Sequence, residues 1–302
     1  MKFLLFADLH YAPGLFWSRG WDALKTFQSR AEQEGCDFII HAGDLGHSSL
    51  KIADFIKAYN EFHIPSYHCL GNHDGDGCTI EDVIRDYKMP HEYYYFDACG
   101  YRMIVTNTNY YKHGNEYVRY SGGNYYSHPA ERDYIPPEQL DWIKQTIDES
   151  EYPCILFSHQ SFERCDGLKN RGDVLDIIDQ ANKKRPHSVL MCINGHWHRD
   201  FIRIRNNVIY FDMNSASYDW IDNPHDLFPK EEADQYEFMR NTVCYTDPLY
   251  AVVTVEGTTV TIDGMESTMY HGITREMTNN PVFDRAGRPV TPRVESAKIT
   301  VG

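Results

Sequence analysis

The feature that most constrains the fold is an alternation of short apolar runs with amphipathic segments. The apolar runs "KFLLFAD" (2–8) and "DFIIHAGD" (37–44) flank "WDALKTFQSRAEQEG" (21–35), which has helical spacing and ends in Gly35. Alternation of this kind predicts strands covered by helices. The same alternation returns later in the chain, with helix-like segments at 137–150 and 173–184 and strand-like segments at 153–159 and 188–196.

Two parts of the chain depart from this alternation. The stretches 201–214 and 250–265 are strand-like, and the second has Glu256-Gly257 where a hairpin turn is expected. The stretch 107–134 is rich in tyrosine, glycine and asparagine. Long loops in compact domains often carry function, so this stretch is expected to border a substrate pocket; the alternative is a packed surface loop or a dimer contact. The chain as a whole is expected to be an α/β sandwich around mixed sheets.

Composition excludes several classes of protein. The chain has 302 residues and a formal net charge of −15, so no nucleic-acid partner is expected. No apolar run is long enough to span a membrane, and the N-terminal run is too short and lacks a small-residue cleavage site for a signal peptide. The eight cysteines form no CxxC pair, which predicts reduced thiols and a cytoplasmic protein. The sequence gives no indication of the oligomeric state.

Polar side chains collect where the predicted strands end. The carboxyl ends of strands in α/β sheets generally hold the ligand. The two histidines of "GHWH" (195–198) stand at i and i+2, so on an extended segment their side chains point the same way. A set made up of Asp, Asn and His is typical of a metal site. These groups are Asp8 and His10, Asp44, Asn72 with His73 and Asp74, His159, and His196 with His198.

In this order the blocks "DLH", "GD", "GNHD", "SH" and "GHWH" resemble the pattern of the calcineurin-like metallophosphoesterases. The resemblance extends over roughly residues 1–215. It implies a four-layer α/β/β/α sandwich, with two mixed β-sheets flanked by helices. We expect a metallophosphoesterase domain over residues 1–270 and a C-terminal arm or tail over 271–302.

The resemblance also implies a dinuclear metal site in which Asp44 bridges the two ions. One ion would take Asp8, His10 and His198 as its other protein ligands, and the second would take Asn72, His159 and His196. All of these donors are nitrogen or oxygen, which favours Mn, Fe or Zn. Two such ions activate water as hydroxide and hold a phosphate. The implied reaction is therefore hydrolysis of a phosphoester of a small soluble substrate by a metal-bridging hydroxide.

Further residues are expected beside the metals. His73 is predicted to donate a proton to the leaving group, and Asp74 to orient His73. This favours a phosphodiester slightly over a phosphomonoester, because an alkoxide leaving group needs acid help. His47 stands where purple acid phosphatases have a tyrosine ligand, so a tyrosinate-ligated iron is not expected. The predicted substrate-binding residues are His47, Asn107, His113 and Tyr125.

Other functions stay open. The same metals would serve a pyrophosphatase or a nucleotide hydrolase. The family also contains non-catalytic scaffolds, such as a retromer subunit, whose ligands are eroded, whereas every expected ligand is present here. A mononuclear iron oxygenase could draw its two histidines and one carboxylate from Asp8, His10 and His198, but it would leave the other four ligands without a role.

Overall fold

The computed structural model describes residues 1–283 and 287–302. Over these residues the chain forms sixteen strands, six α-helices and several short 3-10 helices. In chain order the strands and α-helices are β1 (Lys2–Phe6), α1 (Gly20–Glu34), β2 (Phe38–His41), α2 (Ala53–Asn60), β3 (Ser66–His68), α3 (Ile80–Asp86), β4 (Tyr94–Ala98), β5 (Tyr101–Val105), β6 (Tyr110–His113), β7 (Glu116–Arg119), α4 (Pro137–Asp148), β8 (Cys154–Phe157), α5 (Arg171–Lys184), β9 (Val189–Asn194), β10 (Phe201–Arg205), β11 (Val208–Asp212), β12 (Tyr218–Trp220), α6 (Lys230–Ala233), β13 (Thr242–Cys244), β14 (Ala251–Glu256), β15 (Thr259–Gly264) and β16 (Ala297–Thr300).

Two six-stranded mixed sheets form the centre of the molecule. The first has the order β16-β15-β14-β1-β2-β3 and the second the order β10-β11-β9-β8-β5-β4. In each sheet a parallel core is extended by antiparallel strands: β1, β2 and β3 are parallel in the first, and β5, β8, β9 and β11 in the second. The parallel strands β1 and β9 are buried along almost their whole length, as strands covered on both faces must be.

The sheets pack face to face, and helices cover their outer faces. Phe3 of the first sheet meets Phe157 of the second, with ring centroids 6.1 Å apart. On the outer face of the first sheet, Phe27 of α1 stacks on Phe6 at 4.3 Å. On the outer face of the second, Ile143 of α4 and residues of α5 share a core with β8. This arrangement confirms the predicted four-layer sandwich.

Helix α1 shows how local sequence places such a layer. Its buried residues Ala23, Phe27 and Ala31 recur every fourth position and face the sheet. Gly35 follows the helix with a φ of 64°, and its N–H bonds back to the carbonyls of Ala31 and Glu32. This left-handed cap favours glycine, and it returns the chain to the sheet at β2.

Two regions carry more structure than the sequence indicates. The stretch 107–134 contains the hairpin β6–β7 and a 3-10 helix, Asn124–Ser127. Near the C-terminus, β16 pairs with β15 at the edge of the first sheet, so part of the predicted tail belongs to that sheet. The division of the chain at residue 270 stays a prediction.

Among the described residues, no helix combines the length and the apolar character needed to cross a bilayer.

Candidate metal centre

The predicted metal ligands lie where the two sheets meet. Asp8 and His10 follow β1, Asp44 follows β2 and Asn72 follows β3 of the first sheet, whereas His159 follows β8 and His196 and His198 follow β9 of the second. The structure brings all seven together through side-chain distances of 3.1 to 3.9 Å. All are buried except His196, which is partly exposed.

Five of these ligands have a backbone conformation that side chains rarely adopt. Their φ angles lie between 51° and 76°, in the left-handed region. Each such residue costs free energy and persists only when its surroundings enforce it, and such residues cluster at functional sites. The five are Asp8, His10, Asp44, His196 and His198.

Glycines of the sequence motifs make room for the ligands. A Cβ on Gly71 would lie 2.1 Å from the Asp44 Oδ1 atom, and one on Gly195 would lie 2.5 Å from the Asp8 Oδ2 atom. A Cβ on Gly43 would lie 2.2 Å from the ring of His159. The glycines that precede the ligands in "GD", "GNHD" and "GHWH" are therefore required by close packing around the ligands themselves.

Hydrogen bonds fix which imidazole nitrogen faces the centre. His159 donates its Nδ1–H to the carbonyl of Ala42 at 2.8 Å, and His198 donates its Nδ1–H to the carbonyl of Tyr218 at 2.7 Å. The Nε2 atoms of both rings therefore face the centre, as in metal-ligating histidines held by an outer partner.

His10 is held in the same way, but by another histidine. Its Nδ1 atom lies 2.9 Å from the Nε2 atom of His47, and the Nδ1 atom of His47 lies 3.5 Å from the Asp76 carboxylate. If His47 donates to Asp76, then His10 donates to His47. The Nε2 lone pair of His10 is then left for a metal ion.

The donors that face each other are arranged to hold a cation between them. The Nε2 atoms of His10 and His198 are 3.1 Å apart, and the buried Asp8 Oδ1 atom has no hydrogen-bond partner among the described residues. Burial lowers the pKa of His10 well below its usual value, so the ring is neutral. Burial alone would also lower the pKa of His159, but Asp44 and Asp8 outweigh it and raise that pKa to about 10.

The carboxylates of Asp8 and Asp44 thus favour a positive charge at this position. Metal ions would supply that charge, and nitrogen and carboxylate donors converge in two overlapping groups around Asp8. The first group is Asp8, His10 and His198, and the second is Asp8, Asp44 and His159. The residues present therefore fit two ions of the borderline type, such as Mn, Fe or Zn.

The carboxylate that orients His73 is that of Asp76, which corrects the sequence-based assignment to Asp74. The Nδ1 atom of His73 lies 2.7 Å from the Asp76 Oδ2 atom, and the backbone N–H of His73 donates to Asp44 at 2.8 Å. Burial alone would raise the pKa of Asp76, but hydrogen bonds from His47 and His73 outweigh it and lower the pKa to about 2. Asp76 is therefore a fixed anion beside His73.

Asp74 instead holds the backbone of the ligand loops. Its carboxylate accepts the N–H groups of Gly71 at 2.7 Å, Asp44 at 3.1 Å and Gly46 at 3.2 Å. Tyr87 donates its hydroxyl to the same carboxylate at 2.7 Å. Asp74 thus joins the loop after β2 to the loop after β3, and its role is structural.

Of the four predicted substrate-binding residues, the structure brings His47 and Tyr125 to the centre. The Tyr125 hydroxyl lies 3.3 Å from Asn72 Nδ2 and donates to Asp76 at 2.9 Å. The Asn107 side chain is buried and donates to Glu92 at 2.7 Å. His113 is exposed at the end of β6, beside Glu131. Neither Asn107 nor His113 has a contact with the metal-centre residues in the described chain.

Sequence reasoning missed Asp76 and Tyr126. The Tyr126 hydroxyl donates to Asp76 at 2.9 Å and lies 3.2 Å from the Nδ1 atom of His73, and its side chain is 53% exposed. The spacing of Asp76 three residues after His73 was the available signal, because such a pair can meet across one turn. No local pattern distinguishes Tyr126 from the other tyrosines of the stretch 107–134.

Solved structures share this fold at low sequence identity. A dimetal phosphatase from Danio rerio aligns with a TM-score of 0.64 and 14% identity, over 100% of this chain and 99% of that chain. GAP50, described as the anchor in the inner membrane complex of Plasmodium, aligns with a TM-score of 0.55 and 11% identity, over 100% of this chain and 89% of that chain. No curated protein matches this sequence significantly.

A family model gives the stronger result. The model of the calcineurin-like phosphoesterases matches residues 1–200, which include every predicted metal ligand. The family depends on two metal ions, and the clusters around Asp8 fit such ions. Together these findings support metal-dependent hydrolysis of a phosphoester. The chain belongs to the calcineurin-like phosphoesterase family.

Proposed function

We propose that this chain hydrolyses phosphodiesters of small molecules, with His73 as the acid that protonates the leaving alkoxide. The observation that carries the proposal is the 2.7 Å contact between His73 Nδ1 and Asp76. This contact leaves the Nε2 atom of His73 free to donate a proton. Acid assistance of this kind is needed for a poor leaving group such as an alkoxide, which alkyl phosphodiesters and alkyl phosphomonoesters both release, so the choice of the diester depends on the comparison of rates below.

We assign the seven ligands predicted from the sequence to two metal ions. When bound, the ions supply water activation and neutralise charge on the phosphate. Asp8, His10 and His198 would hold the first ion, Asn72, His159 and His196 would hold the second, and Asp44 would contact both.

Around the metals, the chain's own residues position the proton donor. Asp44 accepts the backbone N–H of His73 at 2.8 Å, so the acid is fixed relative to the Asp44 carboxylate, which would contact the metal ions. Asp76 stabilises the protonated imidazole of His73. Tyr126 is half exposed beside His73, and its hydroxyl donates to Asp76 at 2.9 Å, which holds that carboxylate beside the acid. Such fixed groups are effective because they need no reorganisation during the reaction.

A cavity beside His47 has room for a small organic group of the substrate. Its volume is about 240 Å³. Aromatic and aliphatic side chains, among them Tyr11 and Leu15, line it together with His47 and Lys51. We assign this cavity to the organic part of the ester, and Lys51 favours an anionic group there. The formal net charge of −15 is consistent with a small substrate and not with a nucleic acid.

Rates on two chromogenic esters test the metal-dependent activity and the diester preference. Both esters release p-nitrophenolate, a good leaving group, so the acid role of His73 is tested separately with alkyl diesters. Apo protein would be supplied with Mn²⁺, Fe²⁺ or Zn²⁺ and assayed with bis-(p-nitrophenyl) phosphate and p-nitrophenyl phosphate. We expect metal-dependent turnover that is faster on the diester and that Asp44→Asn loses. Asp263→Asn, an exposed carboxylate on β15, is the matched control and should keep full activity.

Other outcomes would assign other functions. Faster turnover of the monoester would overturn the diester preference and keep the phosphoesterase. Turnover of inorganic pyrophosphate or a nucleoside diphosphate alone would assign a pyrophosphatase or nucleotide hydrolase. Two bound ions with no turnover of any ester would favour a scaffold, the kind of role that the description of GAP50 as an anchor suggests for that protein.

A further inference from the structure

A second histidine–carboxylate cluster lies outside the metal centre, on the stretch 107–134. His113 ends β6, and His128 and Glu131 follow the 3-10 helix Asn124–Ser127. The Nδ1 atoms of both histidines converge on one carboxylate oxygen, Glu131 Oε2, at 3.6 Å from His113 and 2.9 Å from His128. All three donor atoms lie within 4.8 Å of one another.

These distances suit a tetrahedral ion. Zn²⁺ binds imidazole nitrogen and carboxylate oxygen at about 2.0–2.2 Å, which places neighbouring donors about 3.3 Å apart in a tetrahedron. The observed 2.9 and 3.6 Å lie on either side of that spacing. Three protein ligands leave a fourth position for water. Two nitrogens and one oxygen suit Zn²⁺ better than Mg²⁺ or Ca²⁺, which prefer oxygen alone.

The surroundings of the cluster hold two of the ligands in place. The ring of His128 stacks on Tyr111, with centroids 4.2 Å apart and planes at 8°. The backbone of Glu131 is tied on both sides, because its carbonyl accepts the N–H of Lys112 at 2.8 Å and its N–H donates to the carbonyl of His128 at 3.0 Å. A simple ion pair would need only one histidine beside Glu131, yet His113 is directed at the same oxygen.

We propose that His113, His128 and Glu131 form a third metal-binding site, for Zn²⁺ or a similar borderline divalent ion. The site joins the hairpin β6–β7 to the segment that follows Tyr125 and Tyr126. Both tyrosines donate to Asp76 at 2.9 Å. A metal ion at this site therefore fastens the part of the chain that reaches His73, and it gives His113 a role other than substrate binding.

The number of bound zinc ions tests the proposal independently of any enzymatic activity. Full-length protein would be saturated with Zn²⁺, freed of excess metal by gel filtration and measured by elemental analysis. We expect His113→Ala and His128→Ala each to hold one zinc ion fewer than the unaltered protein, and Glu131→Gln to bind that ion at least about tenfold more weakly.

His271→Ala is the matched control, because His271 pairs with Glu232 at 3.1 Å without a second histidine among the described residues. It should hold as much zinc as the unaltered protein. If His128→Ala fails to fold because its stacking on Tyr111 is lost, His113→Ala decides the question, since the side chain of His113 is 68% exposed. Equal zinc content and affinity in His113→Ala and the unaltered protein would overturn the site. Equal loss in His271→Ala would show non-specific binding and would also overturn it.

Hydrogen exchange tests whether zinc binding stabilises the segment that carries Tyr125 and Tyr126. Zinc should slow amide exchange over residues 110–131 in the unaltered protein and leave it unchanged in His113→Ala. Zinc binding without any change in exchange would overturn the proposed link between the site and the tyrosine segment.

Discussion

The metal centre and the stretch 107–134 meet at Asp76, but they are built in different ways. The ligands stand within a few residues of strand ends, and left-handed backbone and closely packed glycines fix their positions. Tyr125 and Tyr126 stand on a 3-10 helix outside both large sheets and reach Asp76 with their terminal hydroxyls. The backbone therefore positions the functional groups of the metal centre, whereas long side chains position those of the stretch 107–134.

The largest effect is expected from removing a charge at the centre. Asp8→Asn takes away the carboxylate around which both donor groups converge. We expect loss of bound metal and a fall in kcat of about 10³-fold or more, because metal ions contribute several kcal/mol to stabilising the transition state. Elemental analysis and ester hydrolysis measure both effects. Retention of both metal ions and of activity would contradict the assignment of Asp8 as a ligand.

A change in backbone packing should come next. Gly71→Ala puts a Cβ 2.1 Å from the Asp44 Oδ1 atom, so that Asp44 or its loop must move. A displacement of about 1 Å at a catalytic group can cost about 10²-fold in rate, and we expect a loss of that size in kcat. Gly172→Ala is the control, because nothing lies within 4 Å of its Cβ position on α5. Equal activity of the two variants would show that the loop adapts freely.

Substitutions of Asp74 and Asp76, the two carboxylates that follow His73, should separate an effect on catalysis from an effect on stability. Asp76→Asn removes the anion beside His73, and kcat on alkyl diesters should fall by between about 10-fold and 100-fold with little change in Tm. Asp74→Asn places an amide among three backbone N–H donors and should lower the free energy of unfolding by about 1–3 kcal/mol. Thermal denaturation and alkyl-diester kinetics distinguish them. A reversed pattern would restore Asp74 as the partner of His73.

The smallest effect is expected at Tyr126, which lies at the exposed edge of the metal centre and is called the rim here. Tyr126→Phe removes one hydroxyl that bonds to Asp76 at 2.9 Å. A hydrogen bond contributes about 1 kcal/mol, so kcat/KM should fall by about fivefold. Tyr95→Phe, at a half-exposed tyrosine on β4, should have no effect. A loss at Tyr126 as large as that for Asp76→Asn would mean that the rim is as essential as the centre.

Much of the fold could be predicted from local sequence pattern. The apolar runs that form β1, β2, β8 and β9 are buried on both faces. Because of this burial they are continuously apolar, so they can be recognised as strands without knowledge of the partner strand. The edge strand β16 could not be recognised from its sequence in this way. It alternates between partly buried and exposed residues, and only pairing with β15 makes it a strand.

The sequence by itself determined which residues collect at the metal centre. Each predicted ligand stands within a few residues of the end of its strand, so the position of the strand sets the position of the ligand. The glycines of the motifs show how closely the loops approach one another. Tertiary structure alone decided which neighbours orient those ligands. Asp74 and Asp76 both follow His73 closely in the chain, but the turn of the backbone after Asn72 gives one carboxylate to the loops and the other to His73. Tyr126 depends on the path of a long loop, because its hydroxyl lies 50 residues from its partner in sequence and no local pattern encodes that distance.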